Sequence, residues 1–156
     1  MRHYLEPGAV YSVTSVTKDR RPLFTDERAC RFFITCLEFQ KCVLSFKLYG
    51  FALMHDHVHC VIQPSKTADI SKIMQHLKGN FARKYNSSVG DIGSLWQPRY
   101  YDRCIRNEFD LVRILEYIHD NPVRAGLVSS PGEWEYSSYR CYFGGAYRGL
   151  IDKITQ

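Results

Sequence analysis

Apolar and polar positions alternate from Val10 to Thr17 (VYSVTSVT), a β-branched run that predicts a first strand. Pro22 comes next in a basic turn with Lys18, Arg20 and Arg21. Thr25 is placed to cap a helix, with Asp26 and Glu27 suited to the positive end of its dipole. Ala29, Phe32, Phe33, Cys36, Leu37 and Gln40 then recur at helical spacing. Ser45 to Met54 and His57 to Gln63 predict a second and a third strand, separated by too few residues for anything but a hairpin. A second amphipathic helix is expected from about Thr67, its stripe formed by Ile70, Ile73, Met74, Leu77 and Phe81. Asn86 to Gly93 reads as a polar loop, and Leu95 to Ile105 as a fourth strand in which Pro98 demands an edge or a bulge. Asn107 caps a third helix with Leu111, Ile114, Leu115 and Ile118 on its apolar face; Pro122 disturbs it and Gly126 ends the segment beyond. The remaining tail is aromatic and irregular.

The order is β-α-β-β-α-β plus an extra helix. That pattern predicts an α+β, ferredoxin-like antiparallel sheet with helices on one face, followed by a C-terminal helix and an aromatic tail. A length of 156 residues, 45% of them hydrophobic, is enough for one domain over 1–156 with its own core. No apolar run approaches a membrane span, and MRHYLEPGAVYS lacks the apolar stretch of a secretory signal, so a cytoplasmic protein is expected. Cys30, Cys36, Cys42, Cys60, Cys104 and Cys141 include no CxxC pair and read as small hydrophobes. Lys and Arg exceed Asp and Glu by 21 to 16, and the resulting net charge of +5 is compatible with a polyanionic partner.

Chemistry concentrates in Met54-His55-Asp56-His57-Val58-His59. On a strand, His57 and His59 project from one face, and two neutral imidazoles at short separation form a metal platform. The bland alternative is a pair of exposed strand histidines with no ligand. His55 falls where the hairpin turn belongs, so the spacing leaves its direction open. A second constellation is Glu116-Tyr117-Ile118-His119-Asp120-Asn121-Pro122, in which Tyr117 and Asn121 are one turn apart on a flank of the helix stripe. Taken alone, it equally describes a partly buried tyrosine and an asparagine that ends a helix before proline.

The HVH of the third strand, together with YIHDNPVRAGLV on the last helix, resembles the single-domain HUH tyrosine transposases, in particular their REP-associated branch. YSVTSVTKDRRPLF, GFALMHDHVHCVIQP, LWQPRYYDR and WEYSSYRCY match in the same order, so the likeness spans about residues 4 to 143. It implies a metal-dependent enzyme that cleaves and rejoins single-stranded DNA at hairpin-forming sequences through a 5′-phosphotyrosine. Tyr117 would be the nucleophile. His57, His59 and the side-chain oxygen of Asn121 would hold a divalent ion, Mg²⁺ or Mn²⁺. His55-Asp56 departs from the Pro-Asn usual before the paired histidines and adds a possible further ligand or base. The resemblance leaves monomer and homodimer both open.

Contacts to DNA would then fall to basic and aromatic residues. Arg99, Tyr100, Tyr101, Arg103 and Arg106 interleave charge with rings, as a strand of unstacked bases requires. Lys78, Arg83, Lys84, Arg20 and Arg21 are further phosphate candidates, against the plain reading of solvated cations. Two rival functions remain: a non-catalytic single-stranded nucleic-acid-binding module on the same fold, and a small zinc hydrolase built on His55, His57 and His59.

Overall fold

The computed structural model describes residues 8–143, 147 and 149–154, so the expected 1–156 domain extends beyond the described residues at both ends. Four strands, β1 (Val10–Val16), β2 (Lys47–Leu53), β3 (His57–Gln63) and β4 (Tyr101–Ile105), form one antiparallel sheet in the order β2-β3-β1-β4. The helices are α1 (Glu27–Leu44), α2 (Ile70–Val89), α3 (Glu108–Arg124) and the short α4 (Tyr139–Phe143). The ferredoxin-like order is thus realised. No helix among the described residues is long and apolar enough to cross a membrane.

The two faces of the sheet are both covered. Val58, Cys60 and Ile62 of β3 point into a large cluster with Phe33 and Leu37 of α1 and Ile73, Leu77 and Phe81 of α2. Val61, offset by one residue, faces the other way and packs with Ala52, Ile105 and the α3 residues Leu111, Ile114, Leu115 and Ile118. So α1 and α2 share one face, as expected, and α3 takes the opposite one. Gly50 makes this close approach possible: a Cβ there would run into the Leu115 side chain, with Ser138 Oγ at 3.1 Å. A register shift between Leu48 and Gly50 sits at the same place.

Several boundaries move for local reasons. The cap of α1 is Asp26 rather than Thr25, because the Asp26 carboxylate accepts the Arg28 N–H at 2.9 Å. Asp69 caps α2 by accepting the Lys72 N–H at 2.8 Å, which delays its start to Ile70. Its end at Gly90 (φ 69) absorbs the first half of the expected 86–93 loop. The expected 95–105 strand is split. Gln97 N–H donates to the Val16 carbonyl and Trp96 bridges to Thr17, but pairing resumes only at Tyr101, after Pro98. Asn107 caps α3 as expected, accepting the Asp110 N–H at 2.8 Å. Pro122 does not break α3. The helix runs on to Arg124, and Gly126 (φ 76) closes it, with Leu127 N–H donating to the Pro122 carbonyl and Gly126 N–H to that of Val123.

The aromatic tail covers the outer edge of β2. Leu53 N–H donates to the Tyr136 carbonyl, Ser138 N–H to that of Phe51, and the Trp134 indole N–H to that of Leu53. Cys30, Cys36, Cys60 and Cys141 are buried, in keeping with a hydrophobic role, whereas Cys42 and Cys104 are exposed.

Candidate active site

β3 presents His57 and His59 on the face that carries α3, with ring centroids 4.9 Å apart and planes at 87°. The strand register sets Thr14 of β1 directly beside His59, and the two side chains meet with Thr14 Oγ1 2.9 Å from His59 Nδ1. On the other nitrogen, the Asn121 carboxamide donates to His59 Nε2 at 2.8 Å. Those two contacts require an Nδ1–H tautomer, donating to Thr14. His57 is held the same way, its Nδ1–H donating to Asp56 Oδ1 at 2.7 Å. In both rings Nε2 is therefore the nitrogen with the available lone pair. Burial first, then the neighbouring His57 and Arg124 charges, push His59 down to about 4, so it is neutral at pH 7. Burial pulls the Asp56 carboxyl up, but His57 and Arg20 outweigh it and hold it below the usual carboxylate range.

Tyr117 projects from α3 one turn before Asn121, its ring centroid 6.5 Å from that of His59. It is 53% exposed, unlike the buried apolar residues on the inner face of α3. The Arg124 guanidinium lies 3.9 Å from the centre of its ring, donates to its backbone carbonyl at 3.2 Å and pairs with Asp120 at 3.6 Å. A cleft of about 420 Å³ opens between α3 and the sheet, lined by Thr14, His59, Arg103, Arg113 and Tyr117. Arg103 is steadied there by Asp110 at 2.8 Å.

Other candidates lie elsewhere. The His55 ring packs near Trp134, 5.8 Å between centroids. Among the described residues, no three His, Cys, Asp or Glu side chains are grouped to hold a metal, so a three-histidine zinc set is not assembled. His119 is buried, and its Nε2 is hydrogen-bonded at 2.7 Å to Ser138 Oγ, which also accepts the Phe51 N–H of β2; the pair ties the tail down. Lys78 donates to the Gln97 carbonyl at 3.1 Å and sits by the rings of Trp96 and Tyr100; burial lowers its pKa. The Tyr100 hydroxyl reaches Ser71 of α2 at 3.2 Å. Lys78, Tyr100 and Arg83, the last bonded to Asn80, thus belong to the α2 side of the sheet, away from Tyr117. Arg20 reaches Asp56, and Arg21 approaches the exposed Asp91 at 3.9 Å. Arg99 is exposed on the segment after Pro98, and Arg106 lines a separate hollow with Lys47 and Lys153. Of the expected DNA-contacting set, the structure brings Arg103 and, through Asp56, Arg20 next to the His-Tyr-Asn cluster.

Thr14, Arg113 and Arg124 are site residues that sequence reasoning does not single out, whereas Asp56, flagged with His55 as a possible further ligand or base, lies against His57. Arg124 and Arg113 have a signal, since they fall two turns after and one turn before Tyr117. Thr14 has none, because its place beside His59 depends on strand register.

Known proteins share this arrangement's framework. The family model described as "Transposase IS200 like" matches residues 8–121. A REP-associated tyrosine transposase of Escherichia coli K12 is 24% identical over 140 residues, covering 88% of this chain and 80% of that protein. A Haemophilus influenzae protein named as a candidate of the same class is 28% identical over 146 residues, covering 85% and 80%. Among solved structures, a REP-associated tyrosine transposase bound to a REP hairpin superposes with a TM-score of 0.80 at 23% identity, covering 100% of this chain and 90% of that one. With a match over most of its length, the chain belongs to the IS200-like transposase family.

Proposed function

We propose that this transposase cleaves and rejoins single-stranded DNA at hairpin-forming, REP-like sequences, with Tyr117 as nucleophile and with His57, His59 and Asn121 holding a divalent ion. The observation that carries the reading is the 2.8 Å contact between Asn121 and His59 Nε2, which supports a shared ion at the nitrogen that would face it, with Tyr117 one turn away. The residues fit such an ion. Both imidazoles have Nδ1 committed and Nε2 available, and rotation of the Asn121 carboxamide would exchange its N–H for its oxygen. A set of two nitrogens and one oxygen suits Mn²⁺, with Mg²⁺ as the abundant oxygen-preferring alternative. The ion would polarise a nonbridging phosphate oxygen and neutralise charge as the phosphorus becomes five-coordinate.

The chain's own residues do the rest. The Tyr117 oxygen attacks a backbone phosphorus, the P–O3′ bond breaks, and the 5′ side remains as a phosphotyrosine ester. The phenol loses its proton and the departing 3′-oxygen gains one. Because the ester conserves the bond, the 3′-OH of another strand can attack it and restore the phenol without ATP. Arg124 against the ring holds the nucleophile's direction, and Arg103 and Arg113 lie in the cleft where phosphates would pass. The described site contains one tyrosine, one pair of strand histidines and one asparagine on the same chain, which supports cleavage within a single protomer.

The test is cleavage of end-labelled hairpin oligonucleotides in Mn²⁺. Wild type should release a labelled fragment ending in a 3′-OH, and Tyr117→Phe should release none while still binding the hairpin. Hairpin binding by wild type with no cleavage, across varied flanking sequences, would favour a non-catalytic binding module instead.

A further inference from the structure

We propose that Asp56 is a positioning residue: it fixes the His57 imidazole so that Nε2 faces the ion, making His57 the stronger of the two histidine donors. The inference rests on the metal set proposed above. Asp56 lies in the turn between β2 and β3, next to the first residue of β3, and it is anchored from β1. Its backbone carbonyl accepts the Thr17 N–H at 2.9 Å, with the Thr17 hydroxyl at 3.0 Å. Its carboxylate is shared: Oδ1 accepts His57 Nδ1–H at 2.7 Å, and Oδ2 accepts Arg20 at 3.3 Å. The turn carrying Arg20 holds two non-glycine residues at positive φ, Asp19 at 56° and Arg20 at 49°. Left-handed backbone of that kind costs on the order of 1 kcal/mol per residue and persists where surroundings over-determine it.

The two histidines consequently have different backing. His59 is held by a neutral hydroxyl, Thr14 Oγ1, at 2.9 Å, whereas His57 is held by a carboxylate at 2.7 Å. A charged acceptor on Nδ1–H locks the tautomer and raises the electron density at Nε2. With Asp56 in place the ring has one orientation and one available donor atom before any ion arrives.

Two measurements on the full chain test this: imidazole ¹⁵N spectra of the metal-free protein at pH 8, and calorimetric titration with Mn²⁺. Wild-type His57 should be the Nδ1–H tautomer. Asp56→Ala should populate the Nε2–H tautomer at His57 alone and weaken Mn²⁺ binding by about 10- to 100-fold. Asp56→Asn, which keeps an acceptor and the turn, should keep the tautomer and weaken binding by about three- to tenfold. Thr14→Val serves as the control, disturbing His59 but not His57. An unchanged His57 tautomer in Asp56→Ala, or Mn²⁺ affinity in Asp56→Asn within twofold of wild type, would overturn the proposal. Failure of wild type to bind Mn²⁺ would instead count against the metal set, and the tautomer would still decide the role of Asp56.

Discussion

Asn121 and His59, 62 residues apart in sequence, meet at 2.8 Å, joining α3 to the middle of the sheet on the face opposite α1 and α2. The contact depends on α3 remaining helical through Pro122, since a break there would carry Asn121 away from β3. Asn121 keeps its place because its carbonyl accepts the Ala125 N–H at 2.9 Å, within the closing turn of the helix. Asn121→Ala is therefore expected to leave the fold intact and to weaken Mn²⁺ binding at least about tenfold. Calorimetry and thermal melting on the same sample check both halves.

Arg124 makes a second prediction. Its guanidinium lies close enough to the Tyr117 ring to fix it, an interaction on the order of 1 kcal/mol at an exposed site. Arg124→Ala should slow single-turnover cleavage by about five- to tenfold while hairpin affinity changes less than twofold, because the loss falls on orientation. Arg124→Lys keeps charge but not the planar stack, and should recover only part of the rate.

Gly50 is where the sheet admits α3. A methyl group at this position runs into the end of the Leu115 side chain and crowds Ser138 Oγ, so Gly50→Ala must push Leu115 aside and disturb the packing of the helix that carries Tyr117 and Asn121. The expected cost is about 1–3 kcal/mol, or a melting temperature lower by about 2–12 °C for a chain of this size. Cleavage should fall with it, measurable at a temperature where the variant is still folded.

Much of this architecture is legible along the chain, and the exceptions share a cause. The bounds of the run His57–Gln63 can be read directly, because its short apolar run and Pro64 are both local signals. Tyr117 and Asn121 share a flank of α3 for the same kind of reason, helical spacing. Features that depend on register or on packing between elements are not visible in the sequence. Thr14 beside His59 results from β1–β3 pairing, and the half-buried Lys78 from the path of residues 95–100 over α2. The placement of α3 on the second face has a sign in β3 itself, where Val61 is as apolar as Val58 and Ile62; a strand buried on both faces needs cover on both. Arg20, a phosphate candidate in the sequence, also pairs with the carboxylate that holds His57, a contact the sequence does not show.

His119 gives the fold a pH dependence. Burial pushes it down to about 4 from 6.5, so the folded protein binds its proton less readily than the unfolded chain. Stability from this group is complete above about pH 6.5 and is lost progressively as pH falls toward 4, on the order of 3 kcal/mol in all. Urea melts of metal-free protein between pH 7.5 and 4.5 should show that decline; because His59 is shifted alike, His119→Gln should remove about half of it.

The most direct test is to trap the covalent complex on a hairpin oligonucleotide in Mn²⁺, digest it with protease and nuclease, and map the residual nucleotide by mass spectrometry. The account predicts a 5′-linked nucleotide on Tyr117, absent from Tyr117→Phe. A nucleotide on another tyrosine, such as the exposed Tyr101, or a cleaved strand with no protein-linked nucleotide, would contradict it.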